Sequence, residues 1–175
     1  MLEPLRQGLP PTDPSGVAGS ATCTLPARYE AVRAARQFTR QTLTRWDLTE
    51  RFDDIALVVS ELVTNALRHA LPGDVARDPH DPPVRLHLMH WTSRLVCAVR
   101  DPSRSGPVTG EAADSAESGR GLFLVESFSD SWGWHASPAP AGETLPAGVL
   151  RGKVVWALFR LPGAAADRAQ DVAER

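Results

Sequence analysis

Cysteine is nearly absent from this chain: Cys23 and Cys97 are the two in 175 residues, far apart and without C-x-x-C spacing. That rules out a disulfide framework and a cysteine metal cluster, and it leaves two thiols expected to be reduced and buried. No apolar run approaches the roughly 18 residues of a membrane-spanning helix. The first residues lack the basic start and apolar core of a secretory signal, so the sequence reads as cytoplasmic. Charge of one sign is also lacking. Nineteen Lys and Arg against 21 Asp and Glu leave a formal net charge of -2, which gives no broad electrostatic reason to bind nucleic acid. No Gly-Lys-Ser/Thr follows a glycine-rich loop, so there is no Walker A phosphate loop, and no G-x-S-x-G nucleophile signature occurs.

What remains is ordinary globular composition, 42% hydrophobic and 23% charged, without internal repeats. A chain of this length forms one domain and buries roughly two-thirds of the surface it exposes when unfolded. Residues 1–20, with Pro4, Pro10, Pro11 and Pro14, read as a flexible arm. Residues 21–162 read as the folded domain and 163–175 as a polar tail. A strand-like piece, Ala21 to Leu25, leads to Pro26, which suits the first turn of a helix. From Ala27 to Trp46 a helical stripe is expected from Ala31, Ala34, Ala35, Phe38 and Leu43, with Arg28, Arg33, Arg36 and Arg40 around it. Phe52, Ile55, Val59, Leu62, Val63 and Ala66 predict a second helix ended by Pro72-Gly73.

Three strands follow in this reading. Val84, Leu86 and Leu88 alternate with Arg85, His87 and Met89; Leu95 to Arg100 is nearly continuous and apolar, as in a strand buried on both faces; Lys153 to Leu161 is the last. Between them lie a polar Gly/Ser/Glu segment (103–118), a helix from Gly121 to Phe128, a Trp-containing piece (130–135) and a loop (136–150). Helices early and strands mostly late predict an α+β two-layer sandwich.

Three short stretches carry the chemistry. Four residues along a helix turn a side chain by only about 40°, so Glu61, Asn65 and His69 share one face beside the apolar stripe. A glutamate there can act as general base and an asparagine oxygen can ligate Mg²⁺. The competing reading is the wet side of an amphipathic helix, since Ser60, Thr64 and Arg68 are polar too. Asp101 ends the apolar strand and precedes Pro102. It can accept a hydrogen bond from an exocyclic amine such as adenine N6, or it can simply make an Asp-Pro turn. Gly119-Arg120-Gly121-Leu122 opens a helix, whose free N–H groups and dipole favour a phosphate, with Arg120 adding charge. The alternative is a loop using glycine for turn geometry. His80, His87 and His90 do not make a metal cluster, because His87 and His90 differ in strand parity. Trp132, Trp134 and Trp156 read as sheet packing.

The order Glu-x-x-x-Asn on a helix, Asp after a strand and Gly-x-Gly-Leu opening a helix resembles the ATPase fold shared by gyrase, a heat-shock chaperone family, histidine kinases and MutL. Within it the chain is most similar to the anti-sigma-factor serine kinases, in their short stand-alone actinobacterial form. Leu25-Pro-Ala27, Val58-Val-Ser-Glu-Leu-Val-Thr-Asn-Ala-Leu-Arg-His-Ala70, Val99-Arg-Asp-Pro-Ser103, Gly119-Arg-Gly-Leu-Phe-Leu-Val-Glu126, Ser131-Trp-Gly-Trp134 and Gly152-Lys-Val-Val-Trp156 carry the resemblance. It implies helices on one face of a mixed, mostly antiparallel sheet, with ATP and Mg²⁺ as cofactors. Glu61 would activate the acceptor serine hydroxyl, Asn65 would hold Mg²⁺ and Asp101 would read adenine N6. Gly119, Arg120, Gly121 and Leu122 would border the nucleotide, with 103–118 as lid. The implied activity is phosphorylation of an anti-anti-sigma-type antagonist, with sigma-factor binding, transcription regulation and a homodimer. No membrane or direct nucleic-acid contact is implied.

Two departures qualify that picture. Relatives usually carry Asp-x-Gly-x-Gly at the adenine turn, whereas this chain has Asp101-Pro-Ser-Arg-Ser105. They also often place a threonine near the adenine where Val154-Val155 stand here. Weak ATP affinity, or binding with little turnover, are both open, and a non-catalytic nucleotide-dependent switch is the alternative function. With no phosphoacceptor helix pair and no transducer domain, a complete sensor kinase or topoisomerase is not expected.

Overall fold

The computed structural model describes residues 16–26, 30–70, 84–101, 120–136 and 152–161, the side chains of His69 and Ala70 excepted. The Pro72-Gly73 stop, the 103–118 lid, the turn after Asp101, Gly119, His80 and the tail lie outside the described residues. Strand β1 (Gly19–Leu25) is followed by helix α1 (Glu30–Arg45), a short 3-10 turn at Thr49–Arg51, and helix α2 (Phe52–Ala70). Then come β2 (Val84–Trp91), β3 (Arg94–Asp101), α3 (Arg120–Phe128), β4 (Ser131–Ala136) and β5 (Lys153–Arg160).

The five strands form one sheet in the order β1-β2-β3-β5-β4, and every pairing among them is antiparallel. The mostly antiparallel sheet expected is found, with no parallel pair among the described strands. The strand β1 begins at Gly19, opposite His90, so the segment read as an arm gives its last two residues to the sheet. The Trp-containing piece becomes a strand of its own, β4, at the edge.

Helix α2 lies across β2, β3 and β5, α1 covers β1 and β2, and α3 sits beside α2 against β4. The strand period of two explains which side chains meet those helices. Leu86 and Leu88 of β2, Leu95, Cys97 and Val99 of β3, and Val155, Ala157 and Phe159 of β5 join Ile55, Val58, Val59, Leu62 and Val63 of α2 in the main core. Val96, Ala98, Trp156 and Leu158 point the other way into a second apolar cluster with Met89, Trp91 and Val154 partly buried against it. The continuous apolar run in β3 is therefore buried on both faces, as its composition required. Trp132 and Trp134 pack against the main core and Trp156 against the outer cluster.

The expected stripe on α1 is partly realised. Ala31, Ala35 and Leu43 are buried, Ala34 and Phe38 only half-buried, and Thr39 and Thr42 take buried places that apolar periodicity does not reveal. Thr39 is tolerated because its hydroxyl donates to the Ala35 carbonyl at 2.8 Å, leaving no orphaned group. The helix stops at Asp47, in the left-handed region at φ 58°. The Asp47 N–H bonds the Thr44 carbonyl and the Leu48 N–H bonds the Leu43 carbonyl, the paired bonds of a Schellman cap. No helix among the described residues is long and apolar enough to cross a membrane, which says nothing of a β-barrel.

Candidate functional site

The site begins with the boundary of the α2 apolar stripe. Leu62, Val63 and Ala66 are buried, while Glu61, Thr64 and Asn65 are half-buried, at the margin between core and solvent. That margin is where a polar group keeps partial hydration yet can be held by neighbours.

Helix α3 closes over this margin at Gly121. A Cβ built on Gly121 would lie 2.8 Å from Glu61 Oε2, 3.4 Å from Asn65 Oδ1 and 3.5 Å from Asn65 Nδ2. A side chain at this position would have to displace the Glu61 carboxylate. Gly121, expected to border the phosphates, lies with the Glu61 carboxylate and the Asn65 amide against its α-carbon. The first turn of α3 thus faces Glu61 and Asn65, and its partial positive charge favours anionic oxygen there. Glu61, Asn65 and Gly121 are brought together. Arg120 is exposed at the helix start, and Leu122 turns inward, 6% exposed, as an apolar packing residue. Gly119 lies outside the described residues.

Asp101 ends β3 on the helix-facing side of the sheet and is 1% exposed. Its Oδ2 lies 3.2 Å from the ammonium of Lys153, directly opposite in the β3–β5 register. This partner was missed at the level of sequence, although a signal was there: Lys153 is the sole lysine in the chain, every other cation being arginine. A lysine that is 3% exposed at the head of an apolar strand requires a buried acid, and Asp101 is that acid. Two columns away on the same face, the indole N–H of Trp134 is buried with no acceptor among the described residues. Buried donors are nearly always paired, so this one is available to a bound molecule or water.

The oxygen donors suit Mg²⁺, which takes one or two protein oxygens and keeps waters and phosphate oxygens for the rest. Asn65 Oδ1, at the mouth of a helix N-terminus, is such an oxygen. No group of three or more His, Cys, Asp or Glu with metal-site spacing exists among the described residues. His87 accepts or donates a 3.0 Å bond with Thr22 on the outer face, while the His90 ring stacks on Trp46, 4.4 Å between centroids.

A separate concavity of about 700 Å³ lies between α1 and α2, lined by Val32, Arg33, Arg36, Gln37, Arg40 and Phe52. Its arginines are partly fixed. Arg36 donates to Ser60 Oγ at 3.1 Å, and the Arg40 guanidinium lies 4.5 Å over the Phe52 ring.

Comparison with known proteins agrees with the fold. The family model described as the histidine kinase-like ATPase domain matches residues 25–147. The chain is also similar to a serine-protein kinase RsbW from Bacillus pumilus (strain SAFR-032), 30% identical over 119 residues that cover 61% of this chain and 72% of the relative. The family match spans the α2 segment with Glu61 and Asn65 and the start of α3.

Proposed function

The chain belongs to the histidine kinase-like ATPase domain family, and from that premise we propose that it is an ATP-dependent serine/threonine protein kinase of the anti-sigma type. The observation that carries the reading is the seating of Gly121 against Glu61 and Asn65, which joins a general base, a metal-ligating amide and a helix N-terminus in one place. Glu61 takes the proton of an acceptor serine hydroxyl. The serine oxygen bonds to the γ-phosphorus as the bond to the β-γ bridging oxygen breaks, and ADP leaves. Asn65 orients the phosphate end, and the N-terminus of α3 stabilises negative charge on it. Mg²⁺, when bound, supplies charge neutralisation of the phosphates. Asp101 reads the base.

The protein substrate is a small anti-anti-sigma-type antagonist, with a sigma factor as the sequestered partner. The arginine-lined groove on α1 offers a cationic surface for an acidic partner. The similarity to a serine-protein kinase supports serine as the acceptor class. The decisive experiment is transfer of labelled γ-phosphate to a candidate antagonist. Glu61→Ala is expected to lower transfer by about 10²–10⁴-fold, the usual worth of a general base, while Mg-ATP binding persists. Equal transfer by wild type and variant would contradict the role given to Glu61.

The second reading, a nucleotide-dependent switch without turnover, is favoured by one observation: the Asp101 carboxylate is already engaged by Lys153. Under it, partner affinity changes with nucleotide but no phosphate moves.

A further inference from the structure

The chain holds one lysine among nineteen cationic residues, and it is placed in the core rather than on the surface. Gly152, at φ 114° and buried, sets the entry into β5 in a conformation that side-chain-bearing residues avoid. Lys153 comes next. Its parity puts it on the helix-facing side with Val155, and its register puts it opposite Asp101. The ammonium and carboxylate meet at 3.2 Å with side chains 4% and 1% exposed.

An ammonium offers three donors and no acceptor, so toward a carboxylate it does what an exocyclic amine of a base does. It does so with a full charge, as a buried ion pair at 3.2 Å rather than through a neutral donor. We propose that Lys153 sets the affinity of the nucleotide site: its ammonium is paired with the carboxylate that would read the exocyclic amine of adenine, so that a base must compete with it for Asp101. The inference rests on the reading that Asp101 faces the base. It assigns the chain an internal competitor for its own ligand, set by one side chain.

The pair also explains why a lysine and not an arginine stands here. A flexible, compact point charge can swing from a carboxylate to a neighbouring acceptor on an incoming base, whereas a planar guanidinium held in a bidentate fork resists displacement.

The test uses calorimetry with Mg-ATP on the full chain and on Lys153→Thr, Lys153→Met and Lys153→Gln, each checked for folding by circular dichroism. The neutral variants are expected to bind Mg-ATP at least about tenfold tighter than wild type. The same Lys153→Met change made in an Asp101→Asn background is expected to gain less than about threefold, because the competition is with the charged carboxylate. Unchanged or weaker binding in the folded variants, or an equal gain in both backgrounds, would overturn the proposal while leaving the ATP site standing. Absence of nucleotide binding by wild type and every folded variant would overturn the site and the proposal together. A readout on the unmutated protein covers the case of variants that fail to fold. Lysine-selective labelling with ¹³C gives one side-chain signal, which should move when Mg-ATP saturates the protein. A signal that stays fixed at saturation overturns the proposal.

Discussion

At Gly121 the absence of a side chain is the functional element. The 2.8 Å gap between its built Cβ and Glu61 Oε2 is shorter than real Cβ contacts allow. Gly121→Ala must therefore push α3 off α2 or turn Glu61 out of place. Because the clash is with the end of a half-buried, flexible side chain, denaturant unfolding should show a loss of at most about 1 kcal/mol, the low end for overpacking, while Mg-ATP binding weakens. A variant as stable as wild type and equally able to bind would mean that the helices do not meet as closely as described. The residue scale is also where sequence reading reached furthest and fell shortest. Glu61 and Asn65 were legible because a four-residue spacing on a helix fixes a common face. Their partner in space was legible only as a glycine motif, since nothing local in Gly119-Arg-Gly-Leu122 states what the glycine must clear. The Asp101–Lys153 pair joins residues 52 positions apart, and no local pattern links them.

At the scale of elements, the two long helices and the apolar strands follow from periodicity, while β4 does not. Its Ser131-Trp-Gly-Trp-His-Ala136 has a glycine at its centre and is too short for alternation to stand out; it is a strand because β5 offers an edge to pair with. Buried Thr39 and Thr42 on α1 escaped for a related reason, because their polarity hides a place that a local hydrogen bond makes tolerable. The cap of α1 gives an element-level prediction. Asp47 holds φ 58° where glycine is the usual residue, and the left-handed conformation costs an L-residue about 1–2 kcal/mol. Asp47→Gly is expected to raise the free energy of unfolding by up to about 1 kcal/mol, the rest being lost to the greater entropy of glycine in the unfolded chain. A drop in stability would show that the Asp47 side chain contributes more to the turn than its backbone strain removes.

For the whole molecule, stability should be bounded on both sides of neutral pH by groups built into the sheet. Burial, then the nearby Arg85 and Arg100 charges, lower the His87 pKa from its ordinary 6.5. Below that value the unfolded chain takes up the proton more readily than the folded one, so stability present above it is lost as pH falls. On the alkaline side, burial raises the Cys97 thiol from 9.0 to about 12. Between those values the unfolded chain releases a proton that the folded one keeps, and stability declines as pH rises. Urea titrations across pH should show both declines, with His87→Gln flattening the acid limb and Cys97→Ala the alkaline one. Limbs unaltered by either substitution would place the pH dependence elsewhere.

The two-layer arrangement turns α2 into a shared wall: one side of it builds the core over β2, β3 and β5, and its margin meets α3 with Glu61 and Asn65. That this margin holds Mg-ATP is the central claim, and calorimetry of wild type beside Asn65→Ala tests it most directly. Mg-ATP is expected to give saturable heat with wild type and little or none with Asn65→Ala, both proteins being folded. No heat from wild type at millimolar nucleotide, or identical binding by the variant, would contradict it.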